Sequence, residues 1–301
     1  MAALARHAEQ ARGALAANTE RALRADTALY TAWCTEAGLV ALPAAADTLA
    51  AFVDAQGELG KRPATVRRYL ASIAHLHRAA GLESPTAAEA VRLAVKRLGR
   101  ALGSRQDQAQ GITQREAQAM LLGAEASVIG RRDAALLLVM RDALLRRSEA
   151  VALEVSDVQL AEDGTGTVLI RRSKTDQEGA GSIRLLGPDA TLAVREWIAA
   201  AGIAEGALFR SVGRNGRARG RLPAGDVPRI LKRLAARAGI NPERISGHSC
   251  RVGMAQDLLA HGCDLAELMQ AGGWKSPTMP ARYTERLAVR RGAVARLYGI
   301  R

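Results

Sequence analysis

Lysine is scarce in this strongly basic chain: of 43 basic residues only five are lysines, at positions 61, 96, 174, 232 and 275, and the rest are arginine. Aromatic residues are also few, at 3%. A hydrophobic fraction of 48% must therefore be drawn from Ala, Leu, Val and Ile, which favours helices and excludes an aromatic-rich β-sandwich. Cys34, Cys250 and Cys263 form no CxxC pair and are odd in number, which excludes a disulfide framework and fits a reducing compartment. No apolar run reaches the roughly 18 residues of a membrane span, and the N-terminus MAALARHAEQARG has no signal-type apolar core or cleavage site. The chain reads as soluble and cytoplasmic. It contains no Walker loop, carboxylate cluster or zinc-ligand spacing, so no nucleotide or metal cofactor is expected.

What is present is charge. A formal net charge of +13 predicts attraction to a polyanion, nucleic acid first and an anionic membrane surface second, with a merely solubilising basic surface as the alternative. A length of 301 residues is enough for two domains. Residues 1–102 read as an all-helical domain. Leu23, Tyr30, Trp33 and Cys34 fall on one stripe of a helix that Gly38 ends; TLAAFVDAQG makes a second helix. ATVRRYLASIAHLHRAAG makes a third, with Val66, Leu70, Ile73 and Leu76 inward, and AAEAVRLAVKRLGRAL a fourth, with Pro63 and Pro85 at the joins. The third helix carries Arg67 and Arg68 near one end and His75, His77 and Arg78 near the other, a polar face suited to a phosphate backbone or to water.

Residues 103–111, GSRQDQAQG, read as an interdomain linker. A capping box of Thr113 with Glu116 then opens a second domain, residues 112–301. Helices run to about residue 152. VLIRRSKTD and GSIRLL follow as two β-rich runs around QEGAG, which predicts a hairpin and makes the chain mainly α with a small antiparallel β-sheet. The run RSVGRNGRARGRLP, with arginines at 210, 214, 217, 219 and 221 among glycines, reads as a mobile basic loop.

The segment ISGHSCRVG places His248 and Arg251 three apart, on one face of a helix, while Cys250 is two from His248 and points away. That geometry is poor for zinc. Two donors near a helix N-terminus that Ser246 could cap suit a phosphate oxygen. Three further pieces accompany it: Arg146 three before Glu149 in LLRRSEAVAL; Lys174 at the start of the hairpin turn; and Trp274 and Tyr283 in GGWKSPTMPARYTE, the tyrosine on a helix begun by Ser276 and Pro277. Each alone has an ordinary reading as a salt bridge, a solvated lysine or a packed tyrosine.

In this order the pieces resemble the tyrosine recombinase (phage integrase) family, whose motif runs Arg, Lys, His-x-x-Arg, His or Trp, then Tyr. The resemblance extends over nearly the whole chain, and Trp274 stands where most members carry His. It implies a helical core-binding domain that clamps double-stranded DNA together with an integrase-type α+β catalytic domain. It implies a metal-independent enzyme that breaks and rejoins DNA through a 3′-phosphotyrosine, exchanging strands by way of a Holliday junction. Tyr283 would be the nucleophile, Arg146 and Arg251 the phosphate clamp, His248 and Trp274 further donors, Lys174 the general acid, and Glu149 a residue that orients the site.

It also implies a homotetramer on two duplexes in a prokaryotic, phage or plasmid setting, assembled by the tail ERLAVRRGAVARLYGIR. The tail's Ala293, Val294, Leu297 and Tyr298 would dock on a neighbour; folding back on its own domain is the alternative. DNA contacts are expected from Arg67 and Arg68, from Arg210 and Arg214, and from Arg229, Lys232 and Arg233 on a helix that could enter the major groove or simply face solvent. A non-cutting DNA-binding protein of the same fold and a type IB topoisomerase share parts of this pattern.

Overall fold

The computed structural model describes residues 9, 13–103, 105, 107–173, 176, 179–290 and 292–299. The chain divides into two compact units, residues 1–107 and 108–301. The expected linker therefore does not stand apart as one segment. Its second half is fastened to the second unit, where Gln110 N–H donates to Arg244 O at 2.9 Å and Ile112 N–H to Ser249 O at 2.9 Å.

In the first unit, α1 (Ala17–Glu36), α2 (Ala46–Glu58), α3 (Pro63–Ala79) and α4 (Glu89–Leu102) surround one core. Gly38, at φ +67°, releases the chain after α1, and Pro63 occupies the first turn of α3, where its missing N–H costs nothing. Much of the small aromatic content is spent here: Tyr30 and Trp33 both meet Phe52 edge-on, with centroids 5.1 and 5.2 Å away.

Two residues of the polar face have other roles. His77 is fully buried; its Nδ1 bonds Ile73 O at 2.9 Å and its Nε2 accepts the Ala44 N–H at 3.0 Å, which requires the Nδ1–H tautomer. Arg68 is tied to the buried carboxylate of Asp26, which also accepts from Ser72 Oγ at 2.8 Å. A buried carboxylate needs such partners, and the apolar periodicity gave no sign of Asp26.

The second unit is built on α6 (Val128–Asp142), whose Leu136, Leu137 and Met140 are fully buried. It packs against α8 (Pro188–Ala201) and α10 (Ser249–Ala260). The capping box forms as the sequence predicts, Thr113 N–H donating to Glu116 at 3.0 Å ahead of α5 (Gln114–Leu122). After the short α7 (Arg147–Ala152), strands β1 (Val158–Leu160), β2 (Gly166–Ile170) and β3 (Ser182–Leu186) make an antiparallel sheet in the order β1-β2-β3.

The expected mobile basic loop is instead a second hairpin, β4 (Arg210–Val212) with β5 (Ala218–Arg221). Gly216, at φ +74°, makes its turn, and Arg221 anchors it by donating to Val151 O at 2.6 Å and pairing with Glu154. Glycine there supplies turn geometry rather than disorder. α9 (Asp226–Arg237), α11 (Leu265–Gly272), α12 (Thr278–Arg290) and α13 (Ala293–Leu297) complete the unit.

Candidate active site

The site begins where α6 ends. Leu144, buried and at φ +48°, turns the chain through a conformation few non-glycine residues adopt, and Arg146 follows as the residue preceding α7. Glu149, 5% exposed, accepts the Arg146 backbone N–H at 2.8 Å and its Nη1 at 2.5 Å, so it holds that arginine by both main chain and side chain.

Opposite stands α10, with His248 as its N-cap and exposed; Ser246 Oγ accepts the His248 N–H at 3.1 Å. The helix thus starts two residues later than a Ser246 cap would give, and His248 precedes its first turn. Arg251, 3% exposed, donates Nη2 to Gly272 O at 2.6 Å and Nη1 to Leu144 O, and its Cζ lies 4.1 Å from the Trp274 ring centre. Burial, reinforced by the Arg146 charge, lowers its pKa to about 10. Among the described residues no carboxylate forms an ion pair with it, although the Glu149 charge acts on it from nearby. Cys250 points into the core, where burial pushes its thiol up to about 12.

Trp274 follows Gly273, which at φ +61° ends α11. The ring packs so closely on Gly272 that a Cβ there would lie 2.0 Å from it. Trp274 meets Tyr283 of α12 edge-to-face, centroids 6.1 Å apart. Contact thus runs from Arg251 through Trp274 to Tyr283. The tyrosine's carbonyl oxygen accepts two side-chain amides, Gln108 Nε2 at 3.2 Å and Gln256 Nε2 at 3.1 Å.

Arg146, Glu149, Arg184, Arg251 and Lys275 line a cavity of about 250 Å³, together with Asp176. Among the described lining residues four cations stand against two carboxylates, an excess of positive charge that favours an anion. Lys174 lies outside the described residues. Asp176 accepts the N–H groups of Gly181, Gly179 and Ala180 at 2.8, 3.1 and 3.2 Å; these bonds hold its carboxyl below the ordinary value.

Five contributors were not singled out in the sequence: Gln108, Asp176, Arg184, Gln256 and Lys275. Asp176 in KTDQEGAG carries a legible signal, an Asp ahead of glycines in a turn. The others depend on long-range packing. Among the described residues no group of His, Cys, Asp or Glu could hold a metal ion, and no helix is long and apolar enough to cross a membrane.

The residues expected to meet DNA are dispersed. Arg67 is exposed and, with Arg92 and Lys96, rims an open groove floored by Leu70, Val91 and Val95. Arg214 is exposed on the second hairpin, while Arg210 donates Nε to Ala207 O at 3.0 Å. On α9, Arg229 pairs with Asp226, Lys232 is half-buried, and Arg233 pairs with Asp133, a carboxylate 1% exposed that Arg132 also binds. Arg68 and Arg233 therefore each neutralise a buried carboxylate.

Residues 110–289 match the model of the phage integrase family. The chain is 28% identical over 295 residues to the recombinase cre of Escherichia phage P1, covering 89% of this chain and 84% of that protein. It is 29% identical over 279 residues to an integrase/recombinase xerD homolog of Selenomonas ruminantium, covering 89% and 81%. Its fold is that of the Tn1549 transposon integrase solved with transposon right end DNA, with a TM-score of 0.67 at 14% identity over 96% of this chain and 98% of the other. It is also similar to a lambda integrase dimer solved on a COC′ core site, at 0.59 and 16% over 94% and 76%.

The family match and the curated relatives thus make this chain an enzyme of the tyrosine recombinase class. The chain belongs to the phage integrase family.

Proposed function

We propose that this protein cleaves and rejoins double-stranded DNA at specific sites through a 3′-phosphotyrosine formed on Tyr283. The observation that carries this reading is the buried guanidinium of Arg251, which stands beside Arg146 in a cation-rich cavity and touches Tyr283 through Trp274. The Tyr283 phenol attacks the phosphorus and the 5′-oxygen leaves, so one P–O bond forms as another breaks. A phenol with a pKa near 10 is a weak nucleophile, so the rate rests on charge stabilisation and proton transfer.

Arg146 and Arg251 neutralise the nonbridging oxygens through planar forks. Glu149 keeps Arg146 aimed, His248 and Trp274 supply further donors, and Lys174 gives its proton to the departing 5′-oxygen. A second transesterification by a foreign 5′-hydroxyl rejoins the strand, and two rounds pass through a Holliday junction. The scheme needs neither metal nor cofactor.

In this reading residues 1–102 and 112–301 close on the duplex as a clamp, with Arg67, Arg68, Arg210, Arg214, Arg229, Lys232 and Arg233 contributing to the basic surface. Phosphate contacts make binding steeply salt-dependent. The protein assembles as a homotetramer on two duplexes. Val294, Leu297 and Tyr298 of the tail, 69%, 80% and 74% exposed, are available to dock on a neighbouring protomer.

The test is covalent capture in EDTA on a pool of randomised, nicked duplexes, with Tyr283→Phe alongside. DNA attached to the wild type and absent from the variant establishes the chemistry and returns the target site. Tight binding without attachment refutes cleavage and leaves the non-cutting reading.

A further inference from the structure

The pattern of strand β3 is inverted. In SIRLL, alternation should bury Ile183 and Leu185 and expose Arg184. The structure does the reverse: Ile183 and Leu185 are 67% and 64% exposed, while Arg184 shares the inward face with the buried Leu186. The register fixes this orientation, since Arg184 pairs with the fully buried Val168 and Ile183 with the half-exposed Leu169. Placing a guanidinium inward and two large aliphatic side chains outward costs free energy on both counts, and such a local violation of patterning marks a functional position.

The inward Arg184 lines the same cavity as Arg146 and Arg251. Its Nη1 donates to Gln270 O at 3.3 Å, at the C-terminal end of α11, while its Nε is buried and has no hydrogen-bond partner among the described residues. Close approach is built in at Gly273, where a Cβ would sit 2.3 Å from Arg184 Nη2. Burial lowers its pKa, and it lies near enough to Arg251 for the two charges to oppose each other. A cation held this way, one donor facing a long bond and another facing nothing, is arranged for an anion that enters the cavity.

We propose that Arg184 is a third guanidinium acting on the phosphodiester that Arg146 and Arg251 clamp, reaching one nonbridging oxygen from the hairpin side of the cavity. The proposal rests on the reading of the cavity as the scissile-phosphate site. It adds to that reading a catalytic residue carried on β3.

The experiment uses the full chain and the nicked duplex returned by covalent capture, prepared with either a phosphate or a methylphosphonate at the scissile position. Single-turnover attachment is measured for the wild type, Arg184→Ala and Arg184→Lys, together with DNA affinity and thermal unfolding. On phosphate, Arg184→Ala is expected to slow attachment by about 100-fold, the scale of losing one oxyanion donor, with affinity nearly unchanged. On the methylphosphonate isomer that lacks the contacted oxygen, the penalty is expected to shrink to within about threefold, since there is no charge left to stabilise. Arg184→Lys carries the same signature if the alanine variant unfolds.

A penalty equal on phosphate and on both methylphosphonate isomers, or no penalty, overturns the proposal and leaves Arg184 as a cap on the α11 carbonyls. Wild-type protein that fails to attach DNA, or attaches it without Tyr283, overturns the phosphate reading itself.

Discussion

Arg251 lies over Trp274, its Cζ 4.1 Å from the ring centre, and the same guanidinium spans the carbonyls of Leu144 and Gly272. One side chain thereby ties together the turn before Arg146, the end of α11 and the ring that meets Tyr283. Trp274→Ala removes a cation–π contact worth about 1–2 kcal/mol in a desolvated setting, so single-turnover attachment is expected to fall by roughly tenfold. Arg251→Lys loses the fork; a fall of about 100-fold or more is expected. It also leaves one carbonyl without its donor, and unfolding is expected to show about 1–3 kcal/mol of destabilisation. Wild-type rates in both variants would show that this stack has no part in the chemistry.

Gln108 and Gln256 converge on the carbonyl oxygen of Tyr283, one from the first residue of the second unit and the other from α10. Neither amide reaches a reacting atom, so both are positioning residues. Each alanine substitution is expected to slow attachment roughly three- to tenfold, the worth of one hydrogen bond, with the double variant slower than either. DNA affinity is expected to stay constant. Equal loss of affinity and rate would instead mean that the contacts only support the fold.

Asp176 ties down the segment ahead of β3 by accepting three backbone N–H groups. Its carboxyl is held below the ordinary value, so the folded protein binds that proton less tightly than the unfolded chain does. The stabilisation is therefore present at neutral pH and is lost as pH falls through the depressed value. Amide resonances of Gly179, Ala180 and Gly181 are expected to titrate together, with a midpoint below about 3.9, and to lose that transition in Asp176→Asn. A midpoint at or above the ordinary value counts against the arrangement.

Gly253 admits the chain entering the second unit: a Cβ on it would lie 1.9 Å from Ile112 O, a main-chain atom with no freedom to yield. Gly253→Ala is expected to destabilise by about 1–3 kcal/mol in chemical unfolding, the range for overpacking. Gly220, with open space around it, provides a control whose alanine variant should unfold like the wild type.

The sequence by itself determined the helical character of both parts, the capping box at Thr113 and the antiparallel pairing of β2 with β3. Each rests on periodicity or on residues within a few positions of one another. The family could be recognised too, from the order of Arg146, Glu149, His248, Arg251, Trp274 and Tyr283 along the chain rather than from any one of them.

Only the tertiary structure decided how side chains are spent. Arg68 and Arg233 pair with Asp26 and Asp133, His77 is buried with both ring nitrogens bonded, and the glycine-rich arginine run closes into a hairpin. Arg184 turns inward although the alternation of its own strand argues for the opposite face. Arg68, Arg233 and His77 share one reason. A local pattern records which residues can be buried, but the partner that makes burial of a charge or polar group tolerable comes from far along the chain, and folding alone brings the two together.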